Sequence, residues 1–207
     1  MDDQIKIQTG RAWQRMLSGR RLDLLDPQAE DIEIEDIAHG LARVARWNGQ
    51  TIGDHAFSVA EHSIFVLDIA TQLEPDIGAA VQIAALLHDA PEYVIGDLIS
   101  PFKAAIGMDY KKFELKILDA IYARFGIASM IDEPAHKLIK EADGIAAYYE
   151  ALQLAGFSEA EGEAYFSPPS TDDPRFVGVE YQLDPLPVMK AQAVFLERFQ
   201  LLYETIE

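Results

Sequence analysis

AALLHDAPEYVIGDL, residues 84–98, begins as a buried helix and ends in a knot of ionisable groups. His88 and Asp89 close an apolar run, and Glu92 and Asp97 follow closely. Either the helix surfaces into water there, or these groups converge on an ion or a substrate. Pro91 has no backbone donor and clashes with the preceding turn, so the helix that opens at Pro75 is expected to kink or stop around Asp89 and Ala90. Val81, Ala84, Ala85, His88 and Glu92 follow one stripe of that helix, which points His88 inward. Asp89 lies ~100° further round. His-Asp neighbours are unremarkable by chance in an Asp-rich chain, so the dipeptide alone decides nothing.

The flanking helices sharpen the choice. In SVAEHSIFVLDIATQL (58–73), Ser58-x-x-Glu61 is a capping box that marks a helix start. Its stripe is Val59, His62, Val66, Ile69 and Leu73, so His62 also faces inward. In HKLIKEADGIAAYYEALQL (136–154), apolar residues at 138, 139, 142, 145, 146 and 149 define a buried face that includes Asp143. Three helices thus each aim a His or Asp into one interior. Buried charges are normally paired or bound to metal. Two His and two Asp suit a divalent transition ion with open positions, such as Mn, Fe, Co, Ni or Zn.

Elsewhere the pattern is also helical, over 34–47, 109–124, 132–154 and 188–204. Short extended segments are expected in IKIQTG and RRLDLLD. Residues 166–187 carry five prolines and read as an irregular flap. The fold class is an all-α helical bundle, with a core over about 34–155 and a short irregular N-terminal extension, 1–33, in one domain spanning 1–207.

Composition narrows the function. The chain has 207 residues, 49% apolar and 25% charged, which is enough for a real core. It has no cysteine, so disulfides, thiolate catalysis and Cys-based zinc sites are excluded, and any metal must be held by His, Asp and Glu. The formal charge of −18 repels a nucleic-acid polymer. A small anionic substrate would need a local cation, from a metal or from the arginines at 11, 15, 20, 21, 43 and 46. The acidic start MDDQIKIQTG is not a signal peptide, and no apolar run reaches ~18 residues. A cytoplasmic protein with no membrane partner is expected.

Arg46-Trp47 before a loop, S-V-A-E-H-S (58–63), L-H-D-A-P-E-Y-V-I-G-D (87–97) and K-E-A-D (140–143) together resemble the HD-domain superfamily of metal-dependent phosphohydrolases. The resemblance covers residues 40–150 and is closest to the bacterial 5′-deoxynucleotidase-like branch. It implies a helical bundle, commonly homodimeric, that hydrolyses a nucleotide phosphomonoester, with a (deoxy)nucleoside 5′-monophosphate as the leading substrate. It implies one divalent metal ion (Co, Mn, Mg, Fe, Ni or Zn) on His62, His88, Asp89 and Asp143. Glu92 would be the general acid/base, Asp97 would contact the sugar hydroxyl, Arg46 the phosphate, and Trp47 would line the sugar pocket. The chemistry agrees with these residue types, because a divalent ion activates water and neutralises phosphoryl charge. Hydrolysis of a nucleoside triphosphate or a guanosine signalling nucleotide is the alternative within the class. A non-catalytic metal- or nucleotide-binding regulatory module and a metal-free helical interaction protein are the alternatives outside it. His55 reads as a loop residue near the proposed ligands, and His39 and His136 as surface or capping residues.

Overall fold

The computed structural model describes residues 12–98, 108–170 and 172–206. Among them are eight α-helices and one two-stranded sheet: an all-α bundle with a short N-terminal extension. Strands β1 (Trp13–Arg15) and β2 (Arg21–Asp23) pair antiparallel, with Gln14 opposite Leu22. Leu22 is fully buried and pegs this hairpin to the bundle. The turn is tied down as well: Ser18 donates from its backbone N–H and its hydroxyl to Asp36, at 3.0 and 2.5 Å. IKIQTG and Arg11 lie outside the described residues.

The helices are α1 (Ile34–Leu41), α2 (Val59–Leu73), α3 (Ala79–Leu86), α4 (Glu92–Ile95), α5 (Met108–Arg124), α6 (Glu133–Gln153), α7 (Glu159–Tyr165) and α8 (Val188–Tyr203). α2 is the axis of the bundle, packed by α3, α6 and α8, while α1 packs on α4 and α8. Eleven of its fifteen residues are buried, which is the signature of an interior helix rather than of a surface one. Its expected stripe is the core itself, with Val59, His62, Val66 and Ile69 at 0% and Leu73 at 3% exposure. The Ser58–Glu61 capping box is present. α6 matches its expected range within a residue, and Asp132 caps it by accepting from the Ala135 N–H at 2.9 Å.

Three helix limits differ from the sequence pattern. α1 ends at Leu41 rather than near Trp47. Ala45 is instead extended and bridges Ser58, with Arg46 N–H donating to Phe57 O and Val59 N–H to Val44 O, and a short 3-10 turn follows over Arg46–Gly49. α3 starts at Ala79, not Pro75, and ends at Leu86, before His88. Pro91 cannot donate to Leu87 O, so Ala90 N–H takes that carbonyl at 2.9 Å and the chain tightens into a turn. His88 and Asp89 therefore sit on that turn, and the ~100° helical offset expected between them does not apply. α7 was not expected; its own capping box, Ser158 with Glu161, starts it.

The segment 166–187 has neither helix nor strand among its described residues, as expected, yet it is firmly strapped to the bundle. Gln153 clamps it at two points, donating to Tyr181 O at 2.9 Å and accepting from Leu183 N–H at 3.0 Å. Leu186 N–H donates to Glu61 at 2.7 Å, and the Tyr181 ring packs 5.0 Å from both Phe65 and Tyr149.

Candidate metal and phosphoester site

His62 comes from the first turn and a half of α2, and His88 and Asp89 from the turn after α3. Asp143 comes from the middle of α6. The bundle brings all four together. Asp89 Oδ2 lies 3.3 Å from His88 Nε2 and 3.5 Å from His62 Nε2. Asp143 Oδ1 lies 3.2 Å from His62 Nε2 and 4.0 Å from His88 Nε2. The two imidazole rings stand 5.2 Å apart.

The far sides of both rings decide which nitrogen faces this cluster. His88 Nδ1 lies 2.9 Å from Ala85 O, a carbonyl that can only accept, so Nδ1 carries the proton. His62 Nδ1 lies 2.5 Å from Glu150 Oε1 and donates to it likewise. Both Nε2 atoms are buried, and among the described residues neither has a hydrogen-bond partner. Each then presents a lone pair to carboxylate oxygens that are themselves negative. Such an arrangement is repulsive unless a cation, or an added proton, sits between the donors. His62, His88 and Asp143 offer ligand atoms within 4.8 Å of one another. Donors about 2.1 Å from one ion lie roughly 3–3.5 Å apart, so the site fits a divalent ion after small movements.

The electrostatics agree. Burial and the nearby Arg46 guanidinium disfavour a charged His62, yet Glu150, Asp143 and Asp89 outweigh them and lift its pKa well above the usual histidine value. Burial works against the Asp89 carboxylate too, but the two imidazoles hold it well below the usual range, and they lower Asp143 less strongly. This is a pocket that demands positive charge.

Around the cluster stand the other expected residues. Glu92 opens α4 directly after Pro91 and is 1% exposed. Asp97 lies just past α4, its side chain 6% exposed and 3.3 Å from Arg46 Nη1. Arg46 also donates from Nε to Glu150 Oε2 at 3.3 Å. Burial penalises its charge, but Glu150 and Asp97 more than compensate and raise its pKa. Of the six N-terminal arginines, Arg46 is the one the described structure places here. Arg20 pairs with Glu33, Arg43 bonds His39 O and Gln192, and Arg15 and Arg21 flank the Trp13 ring. His55 and His136 are exposed and His39 is half-buried, none of them at the site.

Trp47 sits in a local backbone strain. Trp47, Asn48 and Gly49 all have positive φ, at 56°, 52° and 73°. Two successive non-glycine residues in this region cost about 1–2 kcal/mol each, and such strain persists only where surroundings over-determine it. Here the Trp47 Nε1–H donates to Glu150 at 2.9 Å, while its ring packs against Phe157 and Phe166 at 5.7 and 5.6 Å. Phe166 begins the strap. The next residue, Ser167, lies against Gly144, so that a Cβ there would be 3.3 Å away. The strap thus starts beside both Trp47 and Gly144, the residue after Asp143.

Glu150, Phe157 and Phe166 are absent from the sequence pattern. Glu150 had a signal: it lies seven residues, two turns, beyond Asp143 and so on the same face of α6. It is fully buried and is held below the usual carboxylate range, because Arg46 and His62 overcome the cost of burial. The two aromatic residues had none, since their meeting with Trp47 depends on the path of the strap.

A helical bundle that gathers a histidine from α2, a His-Asp pair from the turn after α3 and a distal aspartate from α6 is an HD-type domain. Residues 37–165 match the family model described as 5′-deoxynucleotidase YfbR-like, and the chain belongs to this family of nucleotide phosphohydrolases. An uncharacterized protein of Rhodobacter capsulatus is 53% identical over 197 residues, covering 95% of this chain and 98% of its own. The 5′-deoxynucleotidase YfbR of Shigella flexneri is 32% identical over 119 residues, 46% of this chain and 60% of that one. A 5′-deoxynucleotidase of Vibrio cholerae is 27% identical over 135 residues, 53% of this chain and 68% of that one. No helix among the described residues is long and apolar enough to cross a membrane.

Proposed function

We propose that this protein is a metal-dependent phosphohydrolase that removes the phosphate from a (deoxy)nucleoside 5′-monophosphate. The observation that carries the reading is the pair of orphaned Nε2 atoms of His62 and His88, each fixed from behind and facing Asp89 and Asp143. These four residues would hold one divalent ion, which supplies an activated water and charge neutralisation at the phosphoryl group. Arg46 offers a guanidinium to the phosphate oxygens from the other side, in a site whose remaining charges are mostly carboxylates. Glu92, buried next to the His88-Asp89 turn, takes and returns protons at its carboxylate. Asp97 accepts a hydrogen bond from a sugar hydroxyl while its contact with Arg46 holds both in place. Trp47, backed by Phe157 and Phe166, closes the sugar side. The similarity to 5′-deoxynucleotidases supports the substrate class. The residues act within one domain, and the cysteine-free composition suits a cytoplasmic setting.

The test is phosphate release by Mn- or Co-loaded protein across nucleoside mono-, di- and triphosphates, deoxy and ribo, beside Asp89→Ala. Release from monophosphates that Asp89→Ala abolishes is expected. Triphosphate or pyrophosphate as product would instead mark a triphosphate or guanosine-nucleotide hydrolase, and no difference between the two proteins would sink the reading. Light scattering checks the homodimer.

A further inference from the structure

We propose that Glu150 is a positioning residue that ties the metal side of the site to its substrate side through one carboxylate. The inference rests on the phosphohydrolase reading above. Glu150 lies on α6, two turns past Asp143, and its side chain is fully buried. Its two oxygens divide the work. Oε1 accepts the Nδ1–H of His62 at 2.5 Å. Oε2 accepts the indole N–H of Trp47 at 2.9 Å and the Arg46 Nε–H at 3.3 Å.

Each bond has a chemical consequence. The first keeps the His62 proton on Nδ1, so that the Nε2 lone pair faces Asp89 and Asp143; the carboxylate behind the ring also makes that nitrogen more basic. The second holds the indole of a residue whose backbone is left-handed, at φ 56°. The third fixes the near end of the Arg46 guanidinium, leaving Asp97 to hold its far end at 3.3 Å. A shift of Glu150 therefore moves a candidate ligand, the candidate phosphate arginine and the candidate sugar wall together. α6 thus serves the site twice, with Asp143 in front of His62 and Glu150 behind it.

Glutamine at 150 separates this role from bulk and burial, because it keeps the shape but has one acceptor and one donor end. With its oxygen toward His62, its NH₂ meets the donors of Trp47 and Arg46. With its NH₂ toward His62, the imidazole proton is driven to Nε2, where it blocks a ligand position. Either orientation breaks one half of the coupling.

The experiment is calorimetric titration of the purified protein with Mn²⁺ alone, for wild type and Glu150→Gln, together with KM for a deoxynucleoside 5′-monophosphate. Ile145→Val, a buried change on the same helix, serves as the packing control. A folded Glu150→Gln protein should bind Mn²⁺ about 10–100-fold more weakly or show KM raised by about tenfold or more, while Ile145→Val leaves both constants in place. If Glu150→Gln does not fold, Glu150→Asp, whose shorter carboxylate cannot reach both sides, is read by the same criteria. Unchanged Mn²⁺ affinity and KM in a folded Glu150 variant overturn the inference and leave the phosphohydrolase reading standing. Wild-type protein that binds no Mn²⁺ overturns both. Where wild type binds Mn²⁺ but hydrolyses no nucleotide, the functional reading fails and the Mn²⁺ affinity alone decides the role of Glu150.

Discussion

Alanine in place of Gly40 would put a methyl group into the backbone of Tyr93. A Cβ built on Gly40 lies 2.7 Å from Tyr93 Cβ, 2.8 Å from its carbonyl oxygen and 3.0 Å from its Cα. Ordinary contacts between carbon atoms are about 3.5–4.0 Å, so α1 and α4 must part by roughly 1 Å. None of the three obstacles is the end of a flexible side chain. In an open helix the same change would stabilise by about 1 kcal/mol, because alanine is the better helix former. Overpacking of a rigid contact costs about 1–3 kcal/mol, and a backbone obstacle places this case near the top of that range. The net expectation is a loss of about 1–2 kcal/mol, or roughly 2–8 °C in Tm for a chain of this size. Activity should fall further than stability does. Tyr93 follows Glu92 in the single turn of α4, so moving one moves the other. If Glu92 handles protons as proposed, a misplacement of about 1 Å there is worth up to about 10²-fold in rate. Thermal unfolding and kcat, measured on Gly40→Ala and wild type with the same metal loading, check both parts. A Gly40→Ala protein as stable as wild type, with unchanged kcat, would refute the close packing of α1 on α4 and its link to Glu92.

Three further outcomes are expected. Mn²⁺ at about a thousandfold over its dissociation constant should stabilise the protein by about 4 kcal/mol, and chelator should remove that gain; an Asp89→Ala protein with the same Mn²⁺-dependent rise in Tm would refute the metal site. Asp36→Ala strips the acceptors from Ser18 N–H and hydroxyl and should cost about 1–3 kcal/mol, with earlier proteolysis between residues 12 and 23; unchanged cleavage would mean that Leu22 alone docks the hairpin. Glu61→Ala leaves the Ser58 and Leu186 N–H groups without their carboxylate, at roughly 1–3 kcal/mol each. Amide exchange at Leu186 should then accelerate well beyond the global loss of stability, and exchange that tracks only global unfolding would contradict the strap's dependence on this contact.

By itself the sequence determined which residues form the long helices and which of their polar groups turn inward. Ser58 and Glu61 start α2 by local bonds three residues apart, and the stripe through His62 follows from 3.6 residues per turn. The same periodicity pointed Asp143 toward the site, where 43% of its side chain is still exposed, whereas His88 reaches the site from the turn beyond α3; the order of these motifs pointed to the HD class. Tertiary structure decided how those inward groups meet. His62 and Glu150 are 88 residues apart in the chain, and Arg46 and Glu150 are 104 apart. No local pattern registers such a pair; it exists because α2 and α6 pack side by side. The left-handed turn at Trp47 is likewise imposed from outside, by the bridge at Ala45 and Ser58 and by the indole bond to Glu150. So is the path of the strap that brings Phe166 to Trp47. Periodicity reports the direction of a side chain, whereas a site is made by where several helices place their ends of that direction in common.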